Sequence, residues 1–312
     1  MTDISRSLRD ITLRQLRTFR TVAARGNLSA AARELHLTQP AVSNQLRELE
    51  DACGLPLYER MGRGITLTAA GRELAGAAGI VMETLRGTQE SIDSLRGLQT
   101  GLLRLAVVST AKYFAPAILS RFGADYPGIN MQLLVGNRQE IIERLADNDC
   151  DLAIMGTPPS EIATRAFDFA PHPQVIIAAP DHPLAGERNI GLHRLSQESF
   201  VVREPGSGTR SAMEKFFARH DFSCRVAMEA SSNETIKQAV IAGMGLSFIS
   251  RHTVALELAA GRLVLLDIEG LPVVRSWYAL HREGKRLSPT ATAFYSYLRD
   301  NGARCIADAM MP

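Results

Sequence analysis

The sequence predicts a chain in three parts: a winged helix-turn-helix at the N-terminus, a long helix, and an α/β domain for the remainder. Three observations carry this. Up to Leu67, apolar residues recur at helical spacing in three short blocks and then fall into two very short runs. From Thr68 to about Leu98 there is no proline, and apolar residues return alternately after four and three positions. Beyond Gly101, short apolar runs alternate with helical segments, the pattern of a sheet covered by helices.

Composition sets the limits. A chain of 312 residues exceeds one ordinary core and implies roughly two domains. The content of 46% hydrophobic and 22% charged residues is that of folded globular domains. No run nears the roughly 18 consecutive apolar residues that span a bilayer, and the start, MTDISRSLRD, has no apolar stretch behind a basic one. No membrane partner is expected, and the predicted location is cytoplasmic. Cys53, Cys150, Cys224 and Cys305 are too widely spaced for a zinc or thioredoxin-like pair and read as reduced, mostly buried thiols; no metal site is predicted. The net charge of +2 is too small to argue for nucleic acid over the whole chain. Its distribution is more telling: up to Leu67 every lysine or arginine is arginine, whose fork of donors suits phosphates and guanine edges, and Lys112, Lys215, Lys237 and Lys285 all come later.

The head, residues 11–67, is read element by element. Leu13, Leu16, Phe19, Val22 and Ala23 line one face of a first helix ended by Gly26-Asn27. Ser29 is the expected cap of a second helix, whose alanines permit close approach, and His36-Leu37 is a turn. Thr38 caps a third, with Pro40 in its first turn and Val42, Leu46, Leu49 and Cys53 as the buried stripe. Pro40, Asn44 and Arg47 point away from that stripe with Ser43 at its flank, which is what a helix reading base edges needs: short polar groups near its start and an arginine farther along. Gln39 suits adenine or a phosphate. An ordinary helical hairpin with a solvated face gives the same pattern. Residues Leu57 to Arg60 and Ile65 to Leu67 add two strands around Met61-Gly62-Arg63-Gly64, a wing with arginines placed for backbone phosphate or the minor groove.

The run FRTVAARGNLSAAARELHLTQPAVSNQLRELEDACGLPLYER, followed by ITLTAAG, resembles the LysR family of bacterial transcription regulators. The resemblance implies double-stranded promoter DNA as partner. Gln39, Pro40, Ser43, Asn44 and Arg47 would face the major groove, Ser29 and Thr38 would meet phosphates, and Arg60 and Arg63 would serve the wing.

Residues 68–98 read as a linker helix. Thr68 is its cap, and Leu74, Ala78, Val81, Leu85, Thr88, Ile92 and Leu95 form a seam with a period of about 3.5 residues, flanked by charged positions. Two such helices pair, which fits a reader of two half-sites; the other reading is a long helix lying on its own domain.

Residues 99–312 form the third part, expected to hold mostly parallel sheets. Its strands are sought at Leu102 to Val108, Met131 to Val135, Leu152 to Met155, Val175 to Ala179, Phe200 to Val202, Leu246 to Ile249 and Val264 to Ile268. Four places run from strand through polar cap into helix: Ser109-Thr110-Ala111-Lys112, Gly136-Asn137-Arg138, Gly206-Ser207-Gly208-Thr209-Arg210 and Ser231-Ser232-Asn233-Glu234. Each offers free backbone N–H groups and the positive end of a helix dipole to an anion. The candidate effector residues are therefore Ser109, Thr110, Lys112, Asn137, Arg138, Gly156, Arg203, Ser207, Thr209, Arg210 and Asn233, although each also reads as an ordinary cap or surface charge. No Gly-Lys-Ser/Thr ends the glycine-rich loop, and the seven histidines show neither His-x-x-x-His spacing nor a paired nucleophile, so no catalytic residue is assigned. A solute-binding module or an enzyme using the same cleft are the rival classes.

The stretches VSTAKYFAP, LAIMGTPP, VVREPGSGTRSAMEKFF, SNETIKQAV, HTVALELAAGRL and WYALHREGKRLSPTA resemble the branch of the LysR family that controls Calvin-cycle (RuBisCO) operons. The family implies an α/β, two-lobed, periplasmic-binding-protein-like effector domain, with lobe I at 101–170 and 275–305 and lobe II at 171–274. It implies a dimer of dimers working with RNA polymerase. No cofactor is expected; the effector implied is a small anion such as a sugar phosphate, another Calvin-cycle metabolite, or NADPH or a nucleotide. A LysR-type regulator of another anionic metabolite is the alternative.

Overall fold

The computed structural model describes residues 8, 11–61, 64–95 and 100–310. Arg63, the side chain of Leu95 and residues 96–98 of the expected linker helix lie outside the described residues. The chain divides into two compact units, one up to Ile92 together with Ala146–Asp149, and one of Asp93–Leu145 and the chain from Cys150.

The first unit opens with α1 (Leu13–Arg25), α2 (Leu28–Glu34) and α3 (Gln39–Cys53), followed by β1 (Tyr58–Met61) and β2 (Gly64–Leu67), which pair antiparallel. Phe19, Val22, Leu28, Ala31, Val42, Leu46, Leu49 and Leu57 are its buried core. Side chains tie the helices together as well, with Thr18 Oγ1 donating to Gln45 Oε1 at 2.7 Å. Gly26 closes α1 in the left-handed conformation, and its carbonyl accepts the amide of Ile65 at 2.9 Å, anchoring the wing. One cap differs from expectation. Asn27, not Ser29, begins α2: the Asn27 Oδ1 accepts the Ala30 amide at 3.0 Å, which places Ser29 inside the helix. Thr68 caps α4 (Ala69–Leu95), its Oγ1 accepting the Gly71 amide at 3.0 Å. Within the expected seam, Leu74 packs on the head core and Ala78 is buried, whereas Val81, Leu85 and Ile92 are exposed at 39%, 45% and 40%.

The second unit is built on one seven-stranded sheet and one two-stranded sheet. Its strands are β3 (Gly101–Val108), β4 (Ile129–Gly136), β5 (Leu152–Met155), β6 (Thr164–Ala178), β7 (Ser199–Arg203), β8 (Arg225–Ala230), β9 (Ser247–Ser250), β10 (Val264–Leu265) and β11 (Val273–Arg282). Its helices are α5 (Ala115–Asp125), α6 (Arg138–Ala146), α7 (Gly208–Arg219), α8 (Asn233–Ile241), α9 (Ala255–Ala259) and α10 (Pro289–Ala309). β3 runs parallel to β4 and β5, and β7 runs parallel to β8.

The expectation of mostly parallel sheets is corrected here. β6 and β11 form a long antiparallel ladder from Val273↔Gln174 to Arg282↔Thr164, and β9 and β10 also join β6 antiparallel. These two strands bridge two cores. Phe169, Ala170, Trp277 and Ala279 belong to a cluster around Phe114, Phe122 and Phe294, while Ile176 and Ala178 belong to one around Phe200, Phe216 and Phe248. Two lobes joined by two crossing strands result. None of the four cysteines forms a disulfide; Cys150 and Cys305 are buried, but Cys53 and Cys224 only partly so. No helix among the described residues is long and apolar enough to cross a membrane.

Candidate functional site

The head presents one polar face built by α3. Val42, Leu46 and Leu49 of its apolar stripe are buried and Cys53 partly so, which holds the helix in one rotation, and Thr38 Oγ1 accepts the Ala41 amide at 3.4 Å to fix its start. On the outward side Gln39, Pro40, Asn44 and Arg47 are exposed and Ser43 is half-buried. Ser29, exposed on α2, has its Oγ 3.4 Å from Gln39 Oε1, so the two polar groups adjoin at the start of α3. Arg60 is exposed on β1.

The second unit holds two adjoining cavities. The inner one, about 40 Å³, is lined by Ser109, Thr110, Arg138, Gly156, Arg203, Ser207 and Thr209 among others, so seven of the predicted effector residues converge there. The outer one, about 660 Å³, is lined by Asn137, Glu161, Lys215, Phe216 and Arg219 among others. Arg138, Thr157, Gly208 and Arg275 border both. Thr110 and Ser207 precede helical turns, yet neither side chain caps its own helix, which leaves both hydroxyls for the pocket.

The four predicted helix starts are not equivalent. In the first turn of α6, the Glu140 carboxylate accepts from the Asn137 backbone and side-chain amides, both at 3.1 Å. At α8 the Ser232 hydroxyl takes the Thr235 amide at 3.3 Å, and Glu234 supplies the carboxylate. Only α7 of these three has no acidic residue in its first turn, so its dipole faces the inner pocket uncompensated.

Three predicted residues are placed elsewhere. Lys112 lies 3.9 Å from Glu234 and over the Tyr113 ring, and Arg210 reaches Glu214 at 2.6 Å and Glu229 at 3.6 Å; neither lines either of these two cavities. A carboxylate has claimed each charge. Asn233 is buried beside the site, its Oδ1 accepting Arg203 Nη1 at 2.7 Å, so it positions that arginine. Arg203 in turn joins Glu204 at 2.7 Å and Ser109 Oγ at 3.2 Å.

Sequence reasoning missed Arg275, Thr157 and His172. Arg275 Nη1 donates to the Gly208 carbonyl at 2.8 Å and Nη2 to the Gly156 carbonyl at 3.0 Å and to Thr157 Oγ1, joining both lobes. Arg138 likewise donates to the Thr157 carbonyl at 2.7 Å. Burial, then the nearby Arg138, lowers the proton affinity of Arg275. Two guanidiniums bound mainly to neutral oxygens leave net positive charge in the cleft, the field an anion needs. The visible signal was an arginine inside the apolar run VVRSWYAL.

An exposed recognition helix and wing on one chain with a two-lobed cleft domain define a ligand-responsive, DNA-binding transcriptional regulator. The chain belongs to the LysR family. Residues 13–72 match the bacterial regulatory helix-turn-helix protein of the lysR family, and residues 96–303 match the LysR substrate binding domain. It is 49% identical over 294 residues to the RuBisCO operon transcriptional regulator of Allochromatium vinosum, covering 94% of this chain and 97% of the relative. It is 50% identical over 293 residues to the HTH-type transcriptional regulator CbbR of Rhodospirillum rubrum, with the same coverage. Among solved structures, the Synechocystis PCC6803 CcmR regulatory domain in complex with 2-PG is 46% identical with a TM-score of 0.62, covering 64% of this chain and 97% of that one.

Proposed function

We propose that this regulator activates carbon-fixation (RuBisCO) genes in the cytoplasm, answering to a small anionic metabolite held in the inner pocket between the lobes. What supports the anion most directly is Arg275, half-buried at the lobe junction beside Arg138, with both guanidiniums donating to backbone carbonyls. Ser109, Thr110, Gly156, Ser207 and Thr209 complete the site around the start of α7. In this reading Gln39, Pro40, Ser43, Asn44 and Arg47 meet base edges, Ser29 and Thr38 meet phosphates, and Arg60 grips the backbone with the wing. The exposed Val81, Leu85 and Ile92 on α4 pair two copies, two such dimers form a tetramer, and RNA polymerase is the partner at the promoter.

The test is calorimetry on the full chain with 2-PG, ribulose 1,5-bisphosphate and NADPH. For whichever anion binds, Arg275→Met removes charged hydrogen bonds worth about 1.5–3 kcal/mol, a loss of roughly 10- to 150-fold in affinity. Arg210→Ala leaves affinity unchanged, because Glu214 and Glu229 already hold that charge. Circular dichroism confirms folding. Equal affinity in Arg275→Met and the parent overturns the site.

A further inference from the structure

One buried group at the inner pocket has no partner within the protein. His172, on β6, is 2% exposed; its Nε2 lies 3.0 Å from Ser250 Oγ, but its Nδ1, equally shielded from solvent, makes no hydrogen bond. Stacking fixes the plane of the ring, and the Ser250 contact fixes which edge carries Nε2. The ring lies flat on Trp277, centroids 3.7 Å and planes 19° apart, and Trp277 is held in turn by its Nε1 donating to His252 Nδ1 at 3.1 Å. The free edge faces position 156, where a Cβ built on Gly156 would come 2.9 Å from His172 Nδ1. Glycine there sets no side chain against the nitrogen, and His172 lines the inner pocket together with Thr110, Ser207, Thr209 and Arg275. Leaving a buried polar atom unpaired is costly, so an orphan nitrogen aimed into a cleft marks the place of a ligand atom.

We propose that His172 is a specificity-determining ligand of this site: Ser250 Oγ–H donates to Nε2, which places the ring proton on Nδ1, and Nδ1–H donates to an unprotonated oxygen of a phosphate or carboxylate. The inference rests on the inner pocket being the anion site proposed above. The charged groups around the pocket are cations, which keep the ring neutral and would share the anion with it. Arg275 on β11, Arg138 on α6 and Arg203 on β7 border the same pocket, and His252 stacks 6.1 Å away in the turn after β9. Burial, then Arg275 and His252, holds His172 well below the ordinary histidine range, so the ring is neutral and its tautomer decides what it binds. With the proton on Nδ1 it welcomes an anion; with a lone pair there it would repel one. Ser250, fully buried, is the positioning residue that holds the Nε2 edge, and when its hydroxyl donates there the ring proton is left on Nδ1.

Asparagine and glutamine separate the two ring nitrogens. In His172→Asn the new side-chain amide nitrogen falls where Nδ1 was, and in His172→Gln it falls where Nε2 was, keeping only the contact to Ser250. Calorimetry on the full chain with 2-PG and with inorganic phosphate should find His172→Asn within about threefold of the parent and His172→Gln weakened at least about tenfold. Trp277, the chain's single tryptophan, should change its emission when 2-PG is added to the parent. Ser250→Ala, which releases the tautomer, should weaken the anion several-fold without unfolding. Unchanged affinity in His172→Gln or in Ser250→Ala, or equal losses in the Asn and Gln variants at unaltered melting temperature, overturns the role of His172. A parent that binds neither 2-PG nor phosphate overturns the anion site itself.

Discussion

Arg275 and Arg210 carry the same charge, and their partners decide what each can do. Arg210 has Glu214 one helical turn away, an i,i+4 pair that neutralises it, whereas Arg275 faces carbonyls. His252 shows the same logic for a titrating group. Burial, then Arg251, brings its pKa from 6.5 to about 4. A histidine depressed in the folded state costs nothing above the unfolded value, where both states are neutral. As pH falls from about 6.5 through about 4, the unfolded chain takes the proton first, and about 3 kcal/mol of stability is lost. His252→Asn keeps an acceptor for Trp277 Nε1 and removes the titration, so its melting temperature should fall less over that window. Parallel curves for variant and parent would show that His252 is not the titrating group. At this scale the sequence showed where the hydroxyls lie, because strand, polar residue and helix are consecutive, but not which of them cap: Asn27 rather than Ser29 begins α2, and neither Thr110 nor Ser207 caps its helix. It did not show which cations were already paired: Glu214 was legible as an i,i+4 neighbour of Arg210, but Glu234 reaches Lys112 only through the fold. Arg275 and His172 lie mid-strand, where no local pattern sets a functional side chain apart from a structural one.

Helix α4 and strands β6 and β11 mark the limits of reading elements from periodicity. A 3.5-residue repeat does not say where the packing partner lies: Leu74 is used by the head of its own chain, and the repeat reaches solvent from Val81 onward. That exposed portion carries the prediction. Leu85→Glu places like charges in a paired helix seam, so sedimentation of the full chain should show a smaller species, with secondary structure preserved. An unaltered mass would mean α4 is not the pairing surface. Helices α1 and α3 were legible because Gly26, Thr38 and Pro40 punctuate them, whereas the start of α2 was expected at Ser29 and lies at Asn27. β6 was not. Its first part, TRAFDFAPHPQ, contains Pro171 and Pro173, which demote a strand by pattern alone. β11 interrupts its apolar run with Arg275 and Ser276, the latter opposite Pro171 in the ladder. The two longest strands, those that cross between the lobes, were therefore the least visible, and the sheets looked more parallel than they are.

On the scale of the whole chain, reading DNA and receiving a metabolite fall to separate compact units, so the two activities should be separable by mutation. Arg47 is exposed on α3 beyond the buried stripe, and Arg60 is exposed on the wing strand β1. A side chain that reads a base edge is worth about 1–3 kcal/mol at its own base pair only, so Arg47→Ala should weaken the operator about 5- to 150-fold while leaving nonspecific DNA nearly unchanged. Arg60→Ala takes away a charge that neutralises a phosphate. It should weaken all DNA alike and make the slope of log affinity against log salt shallower by about one, because one fewer counterion is released. Neither variant should alter calorimetric affinity for whichever anion the parent binds, and Arg275→Met should show the reverse: DNA affinity retained without ligand, but no change in affinity or footprint when that anion is added. Gel-shift titrations at two salt concentrations, with and without the anion, measure the DNA side on the same preparations used for calorimetry. If Arg47→Ala and Arg60→Ala both keep full operator affinity at both salts, α3 and the wing do not dock on DNA in this way. If Arg275→Met loses DNA binding without any ligand present, the cleft and the reading head are not separable functions of this chain.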